Sequence, residues 1–174
     1  MPWYGPDSNE YVFIYDISAP APVKKQVVQV PNSDNGIVFD PNGLAFYVTG
    51  GADDNVHVFA RSAGRWSESV PALALGHHGL GVGLNVKPNG ALAINSEVGV
   101  RPCAAGIALS RDGRLLVVAN YYNDSISVSR GGYGKWSRIP DELDLRPGKS
   151  KSGPQPGVPG GEYPVSVAIK GARP

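Results

Sequence analysis

The sequence is poor in the features that most often announce chemistry. It has a single cysteine, Cys103. One thiol forms no intrachain disulfide and builds no thiolate metal centre alone, so it is expected to be a small buried apolar residue. Charged residues are only 18% of the chain, and 16 basic against 15 acidic side chains leave a net charge of +1. A nucleic-acid surface needs a clustered positive field, so none is expected. The one basic cluster, Lys149 to Lys151, lies in a Pro/Gly/Ser segment and reads as solvated linker. No apolar run reaches 18 residues, which excludes a spanning helix, and no signal peptide is visible at Met1-Pro2-Trp3-Tyr4-Gly5. No Gly-x-Ser-x-Gly elbow is present. Gly79-Leu80-Gly81-Val82-Gly83 lacks the Lys and Ser/Thr of a phosphate loop. Nor does any stretch hold a helical apolar period over three turns.

What the chain has in abundance is glycine, 23 residues, and proline, 16. Both break helices and punctuate short strands. The strands recur. Displaced by 70 residues, Gly36-Ile37-Val38-Phe39-Asp40-Pro41-Asn42-Gly43 falls on Gly106-Ile107-Ala108-Leu109-Ser110-Arg111-Asp112-Gly113. Phe46 to Gly50 then falls on Leu116 to Asn120, Asp54 to Val58 on Asp124 to Val128, and Gly64-Arg65-Trp66-Ser67 on Gly134-Lys135-Trp136-Ser137. The register holds for 32 positions without a gap. One copy reads as an apolar strand, a turn closed by Gly113, a run covered on both faces (Leu115 to Ala119), a polar turn, an alternating strand (Ser125 to Ser129) and an outer strand with Trp136. Four short antiparallel strands per repeat describe a propeller blade, so the fold class expected is all-β, a partial β-propeller of about three to four four-stranded blades.

The expected organisation is a single domain over 1–174. It comprises a partial blade at 1–34, a blade at 35–75, an inserted loop or compressed blade at 76–103, a blade at 104–146, a linker-like loop at 147–161 and the start of a further blade at 162–174. The chain thus opens inside one blade and closes inside another. Open strand edges invite pairing, so self-association as a homodimer closing a ring is expected. A monomer that closes its own ring and an open curved array are the alternatives.

Asp40-Pro41-Asn42-Gly43, Tyr47-Val48-Thr49-Gly50 and Asp124-Ser125-Ile126-Ser127-Val128 resemble the YVTN family of β-propeller repeats, with Gly for Asn at position 50. More narrowly, Ala119 to Ser125, Leu143 to Gly148 and Gly160 to Pro164 are similar to stretches of bacterial exported YVTN propellers, some of which carry a phosphoesterase domain. That resemblance implies an extracellular or periplasmic setting. No metal-ligand cluster of a phosphoesterase is present to receive the activity.

Candidate chemistry is sparse. His77 and His78 stand in a glycine-rich loop and could bind a metal with His57 as third ligand, although neighbours in a strand point to opposite faces. Glu97 joins them as an acid-base candidate. Asp53, Asp54, Asn123 and Asp124 occupy equivalent turns and could offer oxygen ligands, but repetition favours a structural role bonding turn amides. Trp66 and Trp136 recur as blade-packing residues. No cofactor is expected, a divalent metal being the exception. The reading that follows is a non-enzymatic scaffold binding a protein partner or small ligand at its loop-rich face. The alternative is a hydrolase, lactonase or phosphoesterase-like, using His77, His78, His57, Asp53 and Glu97.

Overall fold

The computed structural model describes residues 9–51, 53–75, 84–86, 92–94, 103–121, 125–132, 135–139, 143–145 and 164–170. The described residues contain no α-helix. None of them forms a helix long and apolar enough to cross a membrane.

The chain folds into antiparallel sheets in sequence order. β1 (Asn9–Asp16) and β2 (Val23–Pro31) form a hairpin. Then β3 (Ile37–Phe39), β4 (Ala45–Thr49), β5 (Asn55–Ser62) and β6 (Arg65–Glu68) pair in succession, with β7 (Leu73–Ala74) also on β5. A short hairpin of β8 (Leu84–Val86) and β9 (Leu92–Ile94) comes next. The order then repeats in β10 (Ala104–Leu109), β11 (Leu115–Asn120), β12 (Ser125–Gly132) and β13 (Lys135–Arg138), with β14 (Leu143–Asp144) on β12. These are blades with four strand positions. The fifth strand is the outer strand broken in two: β6 pairs with Phe59 to Ser62 and β7 with Asn55 and Val56 on the same edge of β5. Pro71, which has no amide to give the ladder, stands in the break.

Packing follows the period of two. On β4, Ala45 and Tyr47 face one way, and with Val56 and Val58 they meet Ala104, Ile107, Leu116 and Val118 of the next blade. Phe46 and Val48 face the other way and, with Phe59, meet Val28 and Val30 of β2. All of β4 is buried, as expected of a strand covered on both faces. Trp66 lies edge-on to Phe46 of its own sheet at 4.9 Å, whereas Trp136 reaches the earlier blade, edge-on to Tyr47 at 5.7 Å. Gln26 of β2 adds a two-way amide clasp to the Trp66 backbone, donating at 2.6 Å and accepting at 2.9 Å.

The inner strands approach closely at glycine. A Cβ on Gly36 would overlap the carbonyl oxygen of Ala105 in the next blade's first strand. A Cβ on Gly106, seventy residues on, would lie 2.5 Å from Ser166 Cα and 2.6 Å from Val165 O. Residues 164–170 thus pass as close to β10 at Gly106 as β10 passes to β3 at Gly36. Thr49 locks the first junction. Its buried Oγ1 donates to Ala105 O at 2.7 Å and accepts from Gly36 N at 3.2 Å. Thr49→Val keeps the volume but strands both partners. A loss of about 2 kcal/mol in urea unfolding is expected, with Thr49→Ser losing less than half of that.

Candidate functional site

The strand register sorts the candidate residues to opposite ends of the blades. The β4–β5 turn carries Asp53 and Asp54, near Asp34 and Cys103. The β3–β4 and β10–β11 turns lie at the other end, and a groove opens there.

At the first end the polar groups are largely committed to structure. Asp53 Oδ1 accepts from Asn32 Nδ2 at 2.9 Å, tying the end of β2 to the turn. Its backbone amide donates to Gly50 O at 2.8 Å. Asp54 is buried, has φ of 55°, and accepts at its carbonyl from Leu75 N at 2.9 Å. Asp and Asn tolerate that left-handed backbone better than most residues. Cys103 is half-buried and its Sγ donates to Asp34 Oδ2 at 3.2 Å. Burial first, then Asp34, pushes the thiol up to about 12, so it stays protonated at neutral pH and is a poor nucleophile. His57, on β5, is buried, and its Nδ1 donates to Glu68 Oε1 on β6 at 2.8 Å. His57 is thus oriented by a carboxylate eleven residues away. Among the described residues no three His, Cys, Asp or Glu side chains converge on one point. His77, His78, Glu97, Asn123 and Asp124 lie outside the described residues.

The groove at the other end has a volume of about 450 Å3, within the usual range for small-molecule sites. It is lined by Asp40, Pro41 and Asn42 from one inner turn, by Asp112, Gly113 and Arg114 from the next, and by Gly131, Gly132 and Lys135 from the β12–β13 hairpin. Asp40 is 5% exposed. Its Oδ1 accepts from Asn42 N at 3.1 Å, while Oδ2 lies 3.5 Å from where Gly113 would carry a Cβ. Asp112 is solvent-facing. The Ser110 hydroxyl, at 2.6 Å, and the Arg114 amide, at 3.1 Å, hold its carboxyl below the ordinary value. Arg114 and Lys135 are exposed, and no described side chain pairs with either charge.

The repeat itself explains why the groove exists here. In the preceding blade the positions of Gly131 and Gly132 hold Arg61 and Ser62, and the position of Arg114 holds Leu44. Arg61 there lies over the Trp66 ring at 6.0 Å. Two glycines remove that bulk, and a guanidinium replaces an apolar side chain. Sequence reasoning passed over these residues because it sought histidines and paired acids. Carrying the 70-residue alignment into the β12–β13 hairpin was the signal that could have found them.

Known structures share this architecture. A protein from Lactobacillus plantarum matches with TM-score 0.56 and 17% identity, over 78% of this chain and 36% of its own. A putative 6-phosphogluconolactonase from Bacteroides fragilis matches with TM-score 0.52 and 16% identity, over 77% of this chain and 33% of its own. The fold is an all-β, propeller-type one. The chain spans about a third of the length of these neighbours. No protein-family model and no curated protein matches the sequence.

Proposed function

We propose that this chain serves a propeller hydrolase activity of the sugar-lactone type, in place of the non-enzymatic scaffold that the sequence alone favours. The observation that carries the reading is the groove. A buried carboxylate, an exposed one and two exposed cations face a space of about 450 Å3. The fold is shared with a chain named as a putative 6-phosphogluconolactonase. The chemistry suits a polyhydroxylated acid or its lactone. Arg114 and Lys135 take the anionic end, and the carboxylates of Asp40 and Asp112 accept its hydroxyls. For hydrolysis, Asp40 takes a proton from the water that attacks the ring carbonyl. The bond from that carbon to the ring oxygen breaks, and Asp40 hands the proton it took from water to the departing ring oxygen.

The test is the rate of opening of 6-phosphogluconolactone above its spontaneous hydrolysis. Wild-type protein is expected to accelerate it. Asp40→Asn is expected to lower kcat at least a hundredfold, and Arg114→Ala/Lys135→Ala to raise KM at least tenfold with less effect on kcat. No acceleration by the wild-type chain contradicts the reading.

The partner-binding reading keeps one observation of its own. Tyr11, Phe13 and Tyr15 project from one face of β1 and are each about half exposed, at 50%, 52% and 50%. Under that reading a second copy covers the face, and the mass in solution decides between dimer and monomer.

A further inference from the structure

Both junctions between the described sheets join faces of two kinds. On β4 and β5, Tyr47, Val56 and Val58 point forward to the later blade, while Phe46, Val48 and Phe59 point back to β2. The forward residues meet the back face of the later blade at Leu116 and Val118, and Trp136 closes over Tyr47. The back residues meet a forward face made by Val28 and Val30, with Val12 and Ile14 of β1 beside them. A forward face thus always meets a back face. The seal is tight: Tyr47, Val56, Val58, Phe46 and Val48 are each 2% exposed or less.

One face of each kind is left over. The back face of the first hairpin carries Tyr11, Phe13 and Tyr15, which alternate with the forward-facing Val12 and Ile14. Val27 stands opposite Phe13 on that face. Phe13 is 52% exposed and Val27 42%, whereas Phe59, the back-facing phenylalanine of β5, is 4% exposed. Lys24 reaches over the Phe13 ring at 5.9 Å but leaves the face open. The forward face of the later blade carries Val117, Ile126 and Val128, seventy residues after Tyr47, Val56 and Val58. These three are half-buried where their counterparts are fully buried. Contiguous apolar faces of this kind mark interaction surfaces.

We propose that the back face of the β1–β2 hairpin docks on the forward face of the later blade in a second copy, head to tail. A second copy is the occupant because the chain itself carries the complementary face, of the kind that seals both of its internal junctions. Two copies joined in this way at both ends cover all four leftover faces in a ring. A like-with-like contact would set aromatic face against aromatic face, a pairing that neither internal junction uses. The proposal rests on the reading that a second copy covers β1, and it is independent of the hydrolase reading.

The experiment is light scattering on a size-exclusion column, with circular dichroism of each variant as the check on folding. Wild type is expected to run as a dimer of 18.3 kDa chains. Phe13→Arg blocks one face and Val128→Glu the other, so each variant alone is expected to be monomeric. An equimolar mixture of the two is expected to recover a dimer. The intact forward face of the first variant then meets the intact back face of the second. Val117→Thr is the milder change to the forward face and is expected to raise the dissociation constant at least tenfold with the fold kept. A monomeric wild type overturns the proposal together with the reading it rests on. A dimer lost in Phe13→Arg but kept in both Val128→Glu and Val117→Thr overturns the head-to-tail pairing alone. A mixture of folded variants that stays monomeric also overturns it.

Discussion

Replacing Gly36 by alanine is expected to cost about 3 kcal/mol or more and to lower the unfolding temperature by roughly 10 °C. The added methyl would overlap the Ala105 carbonyl oxygen and approach Thr49 Oγ1 to 2.6 Å. Neither neighbour can yield cheaply. Ala105 is on the first strand of the next blade and 1% exposed, and Thr49 Oγ1 already bonds Ala105 O. Relieving the clash means parting two blades whose shared core includes Tyr47, Val58, Ile107 and Val118. Gly106→Ala makes the corresponding clash against Ser166 and Val165, but that segment belongs to no described sheet, and Val165 is 53% exposed. A smaller global loss is expected there, with protease sensitivity rising at residues 164–170. Urea unfolding and limited proteolysis of the two variants measure the contrast. Equal and negligible losses at both sites would show that the inner strands do not abut as described.

Gly50→Asn is the second substitution with a large expected effect, and its sign depends on context. It restores the asparagine present at position 120, yet alone it is expected to destabilise by about 3 kcal/mol. Its Cβ meets Asn55 Oδ1 and lies close to His57 Nε2. Adding Asn55→Ser and His57→Ser gives the new amide the two hydroxyls that Asn120 uses. The triple variant is expected to recover all but about 1 kcal/mol, because the surrendered His57–Glu68 pair ends on a carboxylate that is 45% exposed. Denaturant unfolding of the single and triple variants measures the coupling. A triple variant no more stable than the single one would mean that positions 50 and 120 are not equivalent.

The scaffold was largely legible in the sequence because its signals are local and repeated. Gly43 and Gly113 close the inner turns, both at φ of 69°, where the Asn-Gly and Asp-Gly pairs place them. The run expected at Leu115 to Ala119 is largely buried in β11, and the alternation expected from Ser125 to Ser129 is present in β12, although its more buried face carries Ser125 and Ser127. The split outer strand was not anticipated, although Pro71 marked it. The role of Gly36 was hidden because it depends on a strand almost seventy residues away. Asp53 was expected to bond turn amides and instead holds Asn32, a partner 21 residues distant. Glu68 could have been paired with His57 from the hairpin register, since Glu68 stands opposite Phe59, two residues along the same face. The groove was the least legible feature. It is made by what the later blade lacks relative to the earlier one, and a single copy read by itself shows only two glycines.

Under the proposed function, the groove between successive inner turns holds a sugar-acid ligand. Its most direct test is a 15N-resolved NMR titration of the chain with 6-phosphogluconate, the stable product of the proposed reaction. The amide signals of Gly113, Arg114, Gly131, Gly132 and Lys135 are expected to shift together along one saturable curve, and the shifts should be lost in Arg114→Ala/Lys135→Ala. Shifts confined to the Thr49 to Asn55 end, or no shifts at millimolar ligand, would contradict the account.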